Sequence, residues 1–188
     1  MTARLITPPA IEPLTLAEAK LWLRVDGGEE DALIAGLIAT ARATIEREAR
    51  RCLITQGWRI FLDAWPEGGV APLPVAPVQA VAAVRVYAAS GAAIPVPPAQ
   101  YRLDLSGEPA RLYLTGVVPA PEIVSGGIEI DLTAGHGAAA ADVPAPLVHA
   151  VRLMLARLYE ARGDGPFDLP ALTGAIAPLV APFRPARL

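Results

Sequence analysis

What this chain lacks narrows its chemistry first. It holds one cysteine, Cys52, in 188 residues, so it can form no internal disulfide and no cysteine-built zinc site. Its two histidines, His136 and His149, stand at unrelated positions with no Cys/His cluster around them, which argues against a metal centre. Aromatic residues make up 5% of the chain and are dispersed, so no stacking platform for single strands is expected. No G-x-x-x-x-G-K-[ST] or G-x-G-x-x-G cradle and no G-x-S-x-G elbow occurs, which removes the familiar phosphate-binding loops and the hydrolase elbow. Lysine occurs once, at Lys20, and 16 basic residues stand against 19 acidic ones for a net charge of −3. That balance is not the footprint of a basic nucleic-acid binder.

A long apolar run is also missing. Mean hydropathy is high, at +0.40, yet the weakly charged stretches Gly68–Val84 and Leu169–Phe183 are broken repeatedly by proline. A spanning helix needs about 20 mostly apolar residues in unbroken helix. Met1–Ala10 has one arginine and no apolar core, so no secretory leader is expected there. What is present is 53% hydrophobic and 19% charged residues, the composition of a folding chain rather than a disordered one. At this length roughly 70% of the unfolded surface can be buried, enough for a real core.

Periodicity divides the chain. Thr15 and Glu18 form an S/T-x-x-E capping box, which predicts a short helix over Leu16–Val25, stopped by Asp26-Gly27-Gly28. A longer helix begins at Glu29, acidic in its first turn and closing on Arg47, Arg50 and Arg51, an order that suits the helix dipole. Its apolar stripe is Ile34, Leu37, Ile38, Ala41, Ile45, Ala49 and Cys52, with Arg42, Glu46 and Arg47 opposite; a stripe position predicts a buried thiol at Cys52. From Gly57 the period becomes two. Alternating runs at Trp58–Asp63, Val84–Tyr87, Tyr101–Leu105, Arg111–Leu114 and Ile128–Leu132, separated by Pro- and Gly-bearing breaks, predict five or six antiparallel strands. Helical spacing returns after Pro144 and Pro146 through Leu147, Val148, Val151, Leu155, Leu158 and Tyr159, with Gly163 as its stop. Five prolines mark the rest, Asp164–Leu188, as a tail with at most a short helix around Leu172–Ala177.

The expected architecture is α+β. Residues 1–56 form an N-terminal helical part, 57–133 an inserted small antiparallel β-sandwich or barrel, 134–163 a helix completing the bundle, and 164–188 an extended proline-rich tail. The helices need one another to cover their single apolar faces.

Within that frame the carboxylates Asp63, Asp104, Glu129 and Asp131 occupy the polar phase of alternating strands. A solvated face explains them better than paired-carboxylate hydrolysis. An alternative function, a β module recognising a surface carbohydrate, would need clustered exposed aromatics, for which Tyr87, Tyr101 and Tyr113 are the candidates.

A resemblance rests on segments spread through the chain. They are Leu14-Thr15-Leu16-Ala17-Glu18-Ala19-Lys20, Leu23-Arg24-Val25-Asp26, the acidic Glu29-Glu30-Asp31, and Ala41 to Glu48. Next come Leu53-Ile54-Thr55-Gln56 with Trp58, Leu73-Pro74-Val75-Ala76-Pro77-Val78, and Tyr101-Arg102-Leu103-Asp104. The last are Leu132-Thr133-Ala134-Gly135-His136-Gly137, Asp142-Val143-Pro144, Leu158-Tyr159-Glu160-Ala161-Arg162 and the closing Leu179 to Arg184. Each segment alone is weak, but their order and spacing resemble the phage head–tail connector (adaptor) proteins, in particular the longer branch with a β insert.

The resemblance implies a non-enzymatic subunit without cofactor or metal, found at the head–tail junction of a virion, prophage or gene-transfer particle. It implies a ring of twelve copies seated beneath the portal protein, with a tail-side head-closure (stopper) protein below. Double-stranded DNA would pass through the channel without sequence-specific binding, and no membrane is involved. The proline-rich tail would reach toward the portal, with Leu172, Ile176, Leu179, Val180, Phe183 and Arg184 as docking candidates. The charged side of the second helix, Arg42, Glu46, Arg47 and Arg50, is a candidate for setting register between ring neighbours, a plain solvated face being the other explanation.

Overall fold

A computed structural model describes residues 1–161 and 169–185, with side chains to 161 and from 174 onward. The chain divides into two compact units. One is built mainly from Met1–Pro9 and Thr55–Gly135, the other from Ala10–Ile54 and His136–Arg184.

The second unit is helical. Helix α1 (Leu16–Leu23) starts on the expected capping box: the Glu18 amide donates to Thr15 Oγ1 at 3.2 Å and the Thr15 amide to Glu18 Oε2 at 2.9 Å. Helix α2 (Asp31–Ala49) buries Ile34, Ile38, Ala41, Ile45 and Ala49, the stripe that its periodicity predicts. Helix α3 (Ala145–Glu160) opens on Pro144 and Pro146 and buries Leu147, Ala150, Val151, Met154 and Leu155. Between the strand-rich segment and α3, the Asp142 carboxylate accepts from the Ala139 amide at 2.9 Å. A Cβ on Gly137 would stand 2.1 Å from that carboxylate, so the turn requires glycine there. The predicted stop of α3, Gly163, lies outside the described residues.

The tail expectation is corrected here. Leu169–Val180 is a helix, α4, followed by a 3₁₀ turn at Ala181–Phe183. Ile176 and Val180 lie fully inside the helical core, and Leu179 and Phe183 pack against it. Positions 176, 179, 180 and 183 follow the i, i+3, i+4, i+7 rule of an amphipathic helix. Pro178 sits in the last turn, where losing one backbone bond costs little continuity.

The other unit holds two antiparallel sheets. Strands β1 (Thr2–Thr7), β2 (Gln56–Leu62), β8 (Ile128–Ala134), β4 (Val78–Tyr87) and β5 (Ala93–Pro95) form a five-stranded sheet in the order β1-β2-β8-β4-β5. Strands β3 (Val70–Pro72), β7 (Arg111–Leu114) and β6 (Tyr101–Asp104) form a three-stranded one in the order β3-β7-β6. The alternation pays out as predicted: Ile60, Leu62, Val84, Val86, Leu112, Ile128, Ile130 and Leu132 are buried. A fully buried side chain of this size contributes about 1.5–3 kcal/mol.

The first residues depart from expectation. Thr2–Thr7, read as part of the helical region 1–56, pairs antiparallel with β2 from Thr2↔Phe61 to Thr7↔Gly57. All six residues of β1 are exposed, so this edge strand carries no burial-driven pattern for a sequence to show.

Candidate interaction surfaces

On the five-stranded sheet, the polar phase of three neighbouring strands meets as an ion-pair lattice. Arg59 on β2 is opposite Asp131 on β8, and Arg85 on β4 is opposite Glu129. Arg59 Nε and Nη2 donate to Asp131 Oδ1 and Oδ2 at 2.6 and 3.0 Å, and Arg85 Nη1 donates to Asp131 Oδ2 at 2.6 Å. Glu129 is only 8% exposed and stands 3.3 Å from Arg59 Nη1. The Arg59 contact chiefly holds the Asp131 carboxyl below the usual carboxylate range, against the opposing effect of burial. These carboxylates therefore brace the sheet rather than face solvent, and Glu129 is more buried than its place in the alternation suggests.

The other strand carboxylates are likewise engaged. Asp63 accepts from the Gly126 amide at 2.7 Å. Asp104 accepts from the Ser106 hydroxyl at 2.5 Å and the Ser106 amide at 2.9 Å, which lowers its pKa. Among the described residues no group of three or more His, Cys, Asp or Glu is placed to hold a metal ion. His149 and Trp22 pack in a T-shaped arrangement with ring centroids 5.8 Å apart, while the His136 amide donates to the Leu53 carbonyl in a turn.

The three tyrosines considered for a carbohydrate platform do not gather. Tyr87 lies on the five-stranded sheet; Tyr101 and Tyr113 lie on the three-stranded one, in opposite phases. Arg102 and Arg111 flank the Tyr113 ring at 5.5 and 5.8 Å from its centroid.

Half of the charged side of α2 is engaged within the subunit. Arg42 Nε donates to Glu12 Oε2 and Arg42 Nη1 to Glu46 Oε2, both at 2.7 Å. Glu46 Oε1 accepts from the Leu53 amide at 2.8 Å. Burial raises the Glu46 pKa above its ordinary value, the Leu53 amide and Arg42 working the other way. Of the four ring-contact candidates, Arg47 and Arg50 are the exposed pair. Of the portal-docking candidates, Ile176 and Val180 are committed to the subunit's own core. Arg184 donates to the Glu48 carbonyl at 2.7 Å and pairs with its carboxylate at 2.9 Å. The Leu172 side chain lies outside the described residues.

The surfaces that sequence reasoning missed are apolar. In the helical unit, Leu21 is 82% exposed and Trp22 41%, beside a hollow of about 570 Å³ lined also by Glu18, Arg24 and Arg152. In the β unit, Val117 and Val124 stand out almost fully exposed from the loop joining β7 to β8. That loop is tied down by Trp65 Nε1 donating to the Pro119 carbonyl at 2.9 Å and by Glu122 accepting from the Ala89 amide at 2.7 Å. An exposed leucine such as Leu21 is a feature that apolar periodicity alone does not separate from core. Among the described residues no helix is long and apolar enough to cross a membrane.

Comparison with known proteins bears on these surfaces. The family described as phage gp6-like head–tail connector protein matches residues 13–90. No curated protein matches the chain significantly. Among solved structures, a chain in the virion of a native gene transfer agent particle is 33% identical, with a TM-score of 0.83 and coverage of 100% of this chain and 97% of that one. A chain in the neck of an empty particle, computed with C6 symmetry, is 33% identical at a TM-score of 0.84, with the same coverage. A chain in the neck of a native particle, computed with C12 symmetry, is 34% identical at 0.81, again over 100% and 97%. With a match of that identity running the full length of both chains, and the family's own signature over its first half, the chain belongs to the phage gp6-like head–tail connector proteins, structural components of the junction between head and tail.

Proposed function

We propose that the chain is one subunit of a twelve-membered adaptor ring in the neck of a tailed-phage-like or gene-transfer particle. The ring sits beneath the portal protein, hands the DNA channel on to a tail-side stopper protein, and performs no catalysis. The observation that carries this is the full-length similarity to a chain of a neck computed with C12 symmetry. A cyclic ring is made by heterologous contacts, one face of each copy meeting a different face of the next, and closure leaves no open ends. The structure supports such use: its strand carboxylates hold turns and sheets together, and its exposed apolar residues lie on the outside of both units. A net charge of −3 also suits a channel component, because adhesion to phosphates grows with basic contacts.

The test is genetic. Removing the gene should leave DNA-filled heads and free tails that fail to join, and supplying the protein in an extract should join them. Intact particles from the deleted strain would contradict the assignment.

A further inference from the structure

Resting on the ring reading above, we infer that the subunit contact is a knob and a seat within the helical unit: Leu21 and Trp22 of α1 in one copy press into the outer side of α2 in the next copy. A cyclic ring demands two unlike surfaces per subunit. The helical unit carries two that share no residue. The knob is the exposed pair Leu21 and Trp22. The seat is a shallow hollow of about 400 Å³ lined by Ala39, Thr40, Ala43, Thr44 and Arg47.

The seat has the chemistry of a contact surface. Between Asp31 and Arg47, the only charged residues of α2 are Arg42 and Glu46, and both are bonded inside the subunit. Gly36, Thr40 and Ala43 are among its exposed positions, and nothing lies within 4 Å of where a Gly36 Cβ would stand. Thr40 Oγ1 donates to the Gly36 carbonyl and Thr44 Oγ1 to the Thr40 carbonyl, each at 2.9 Å. With both hydroxyls bonded inside the helix, covering the two threonines leaves no hydroxyl without a partner. A solvated helix face would normally carry charges at such positions. The knob supplies what the seat lacks. Leucine and tryptophan are large and rigid, and tryptophan is enriched among residues that dominate interface energies. A second copy is the occupant because relatives of this length and fold stand in a twelvefold neck, where every copy has the same neighbour on each side.

The test uses full-length chains carrying Leu21→Cys or Ala43→Cys, assembled with portal or in particles, with Cys52 buried in both. A short bis-maleimide should link a mixture of the two single variants into dimers and nothing larger. A chain carrying both substitutions should give a ladder of multiples of 19.6 kDa, and each single variant alone should give no link. Leu21→Asp should raise the concentration needed for rings at least about tenfold, with an unchanged unfolding midpoint. Rings seen by electron microscopy without these links, or links formed by Leu21→Cys alone, would overturn the knob and seat while the ring stands. Absence of rings under every condition would overturn the ring reading and this contact together.

Discussion

Asp131 shows how much a single carboxylate does in this fold. Two arginines on the strands either side of it converge on its two oxygens, and its pKa is held down mainly by Arg59. A carboxylate with a lowered folded-state pKa contributes stability that is complete above its unfolded-state pKa and is lost as pH falls through the folded one. Asp131→Asn should therefore cost about 1–2 kcal/mol at pH 6, solvent screening at this partly open site keeping it modest. The variant should also lose less stability than the parent on acidification to about pH 3. Urea titrations at the two pH values measure both; parallel acid losses would contradict the lattice. Glu46, whose pKa burial raises, acts in the opposite sense: its contribution is present below the unfolded-state pKa and declines as pH rises through the folded one. At the helix ends, Arg24 and Arg50 adopt φ of 57° and 55°, the left-handed region that disfavours any side chain with a Cβ. Arg50→Gly should stabilise the protein by up to about 1 kcal/mol, read as a rise in the urea midpoint. No rise would mean that contacts of the Arg50 side chain outweigh its backbone conformation.

Elements were legible where local rules and burial agreed. The capping box at Thr15 and Glu18 marks the start of α1 to the residue, because it depends on side chains three apart. Thr15→Ala should cost about 1 kcal/mol in thermal or urea unfolding. The stripe of α2 and the alternation of β2 and β7 were equally plain, since each buries one face only. Three strands were not. β3 and β5 are three residues long and each contains proline, and β1 exposes every residue. The tail misled for a different reason. Its prolines at 166, 170, 178, 182 and 185 suggest an extended chain, yet Ile176, Leu179, Val180 and Phe183 fall on one helical side and find α3. Nor could sequence show that Arg42 reaches Glu12, 30 positions away, so Arg42 and Glu46 seemed open although both are paired within the subunit. These packed residues make a prediction of their own. Ile176→Ala and Val180→Ala should each destabilise the fold by about 2–4 kcal/mol, measured by urea unfolding. Losses below about 0.5 kcal/mol would show that α4 does not pack there in solution.

At the scale of the whole molecule, the chain joins a helical bundle with an exposed knob and seat to a braced β unit with an apolar loop at its surface. Membership in the connector family was visible in the order of many weak segments rather than in any one motif. The seat, the knob and the fixed valine loop were invisible there, because surfaces are assembled from residues that periodicity assigns to no role. The twelvefold ring beneath the portal is the claim on which the functional account stands. The most direct measurement is electron microscopy of the purified chain mixed with purified portal, with and without concentration of the chain alone. A twelvefold ring seated on one end of the portal, continuing its channel, is the predicted result. A chain that stays monomeric throughout and leaves the portal bare would contradict the account.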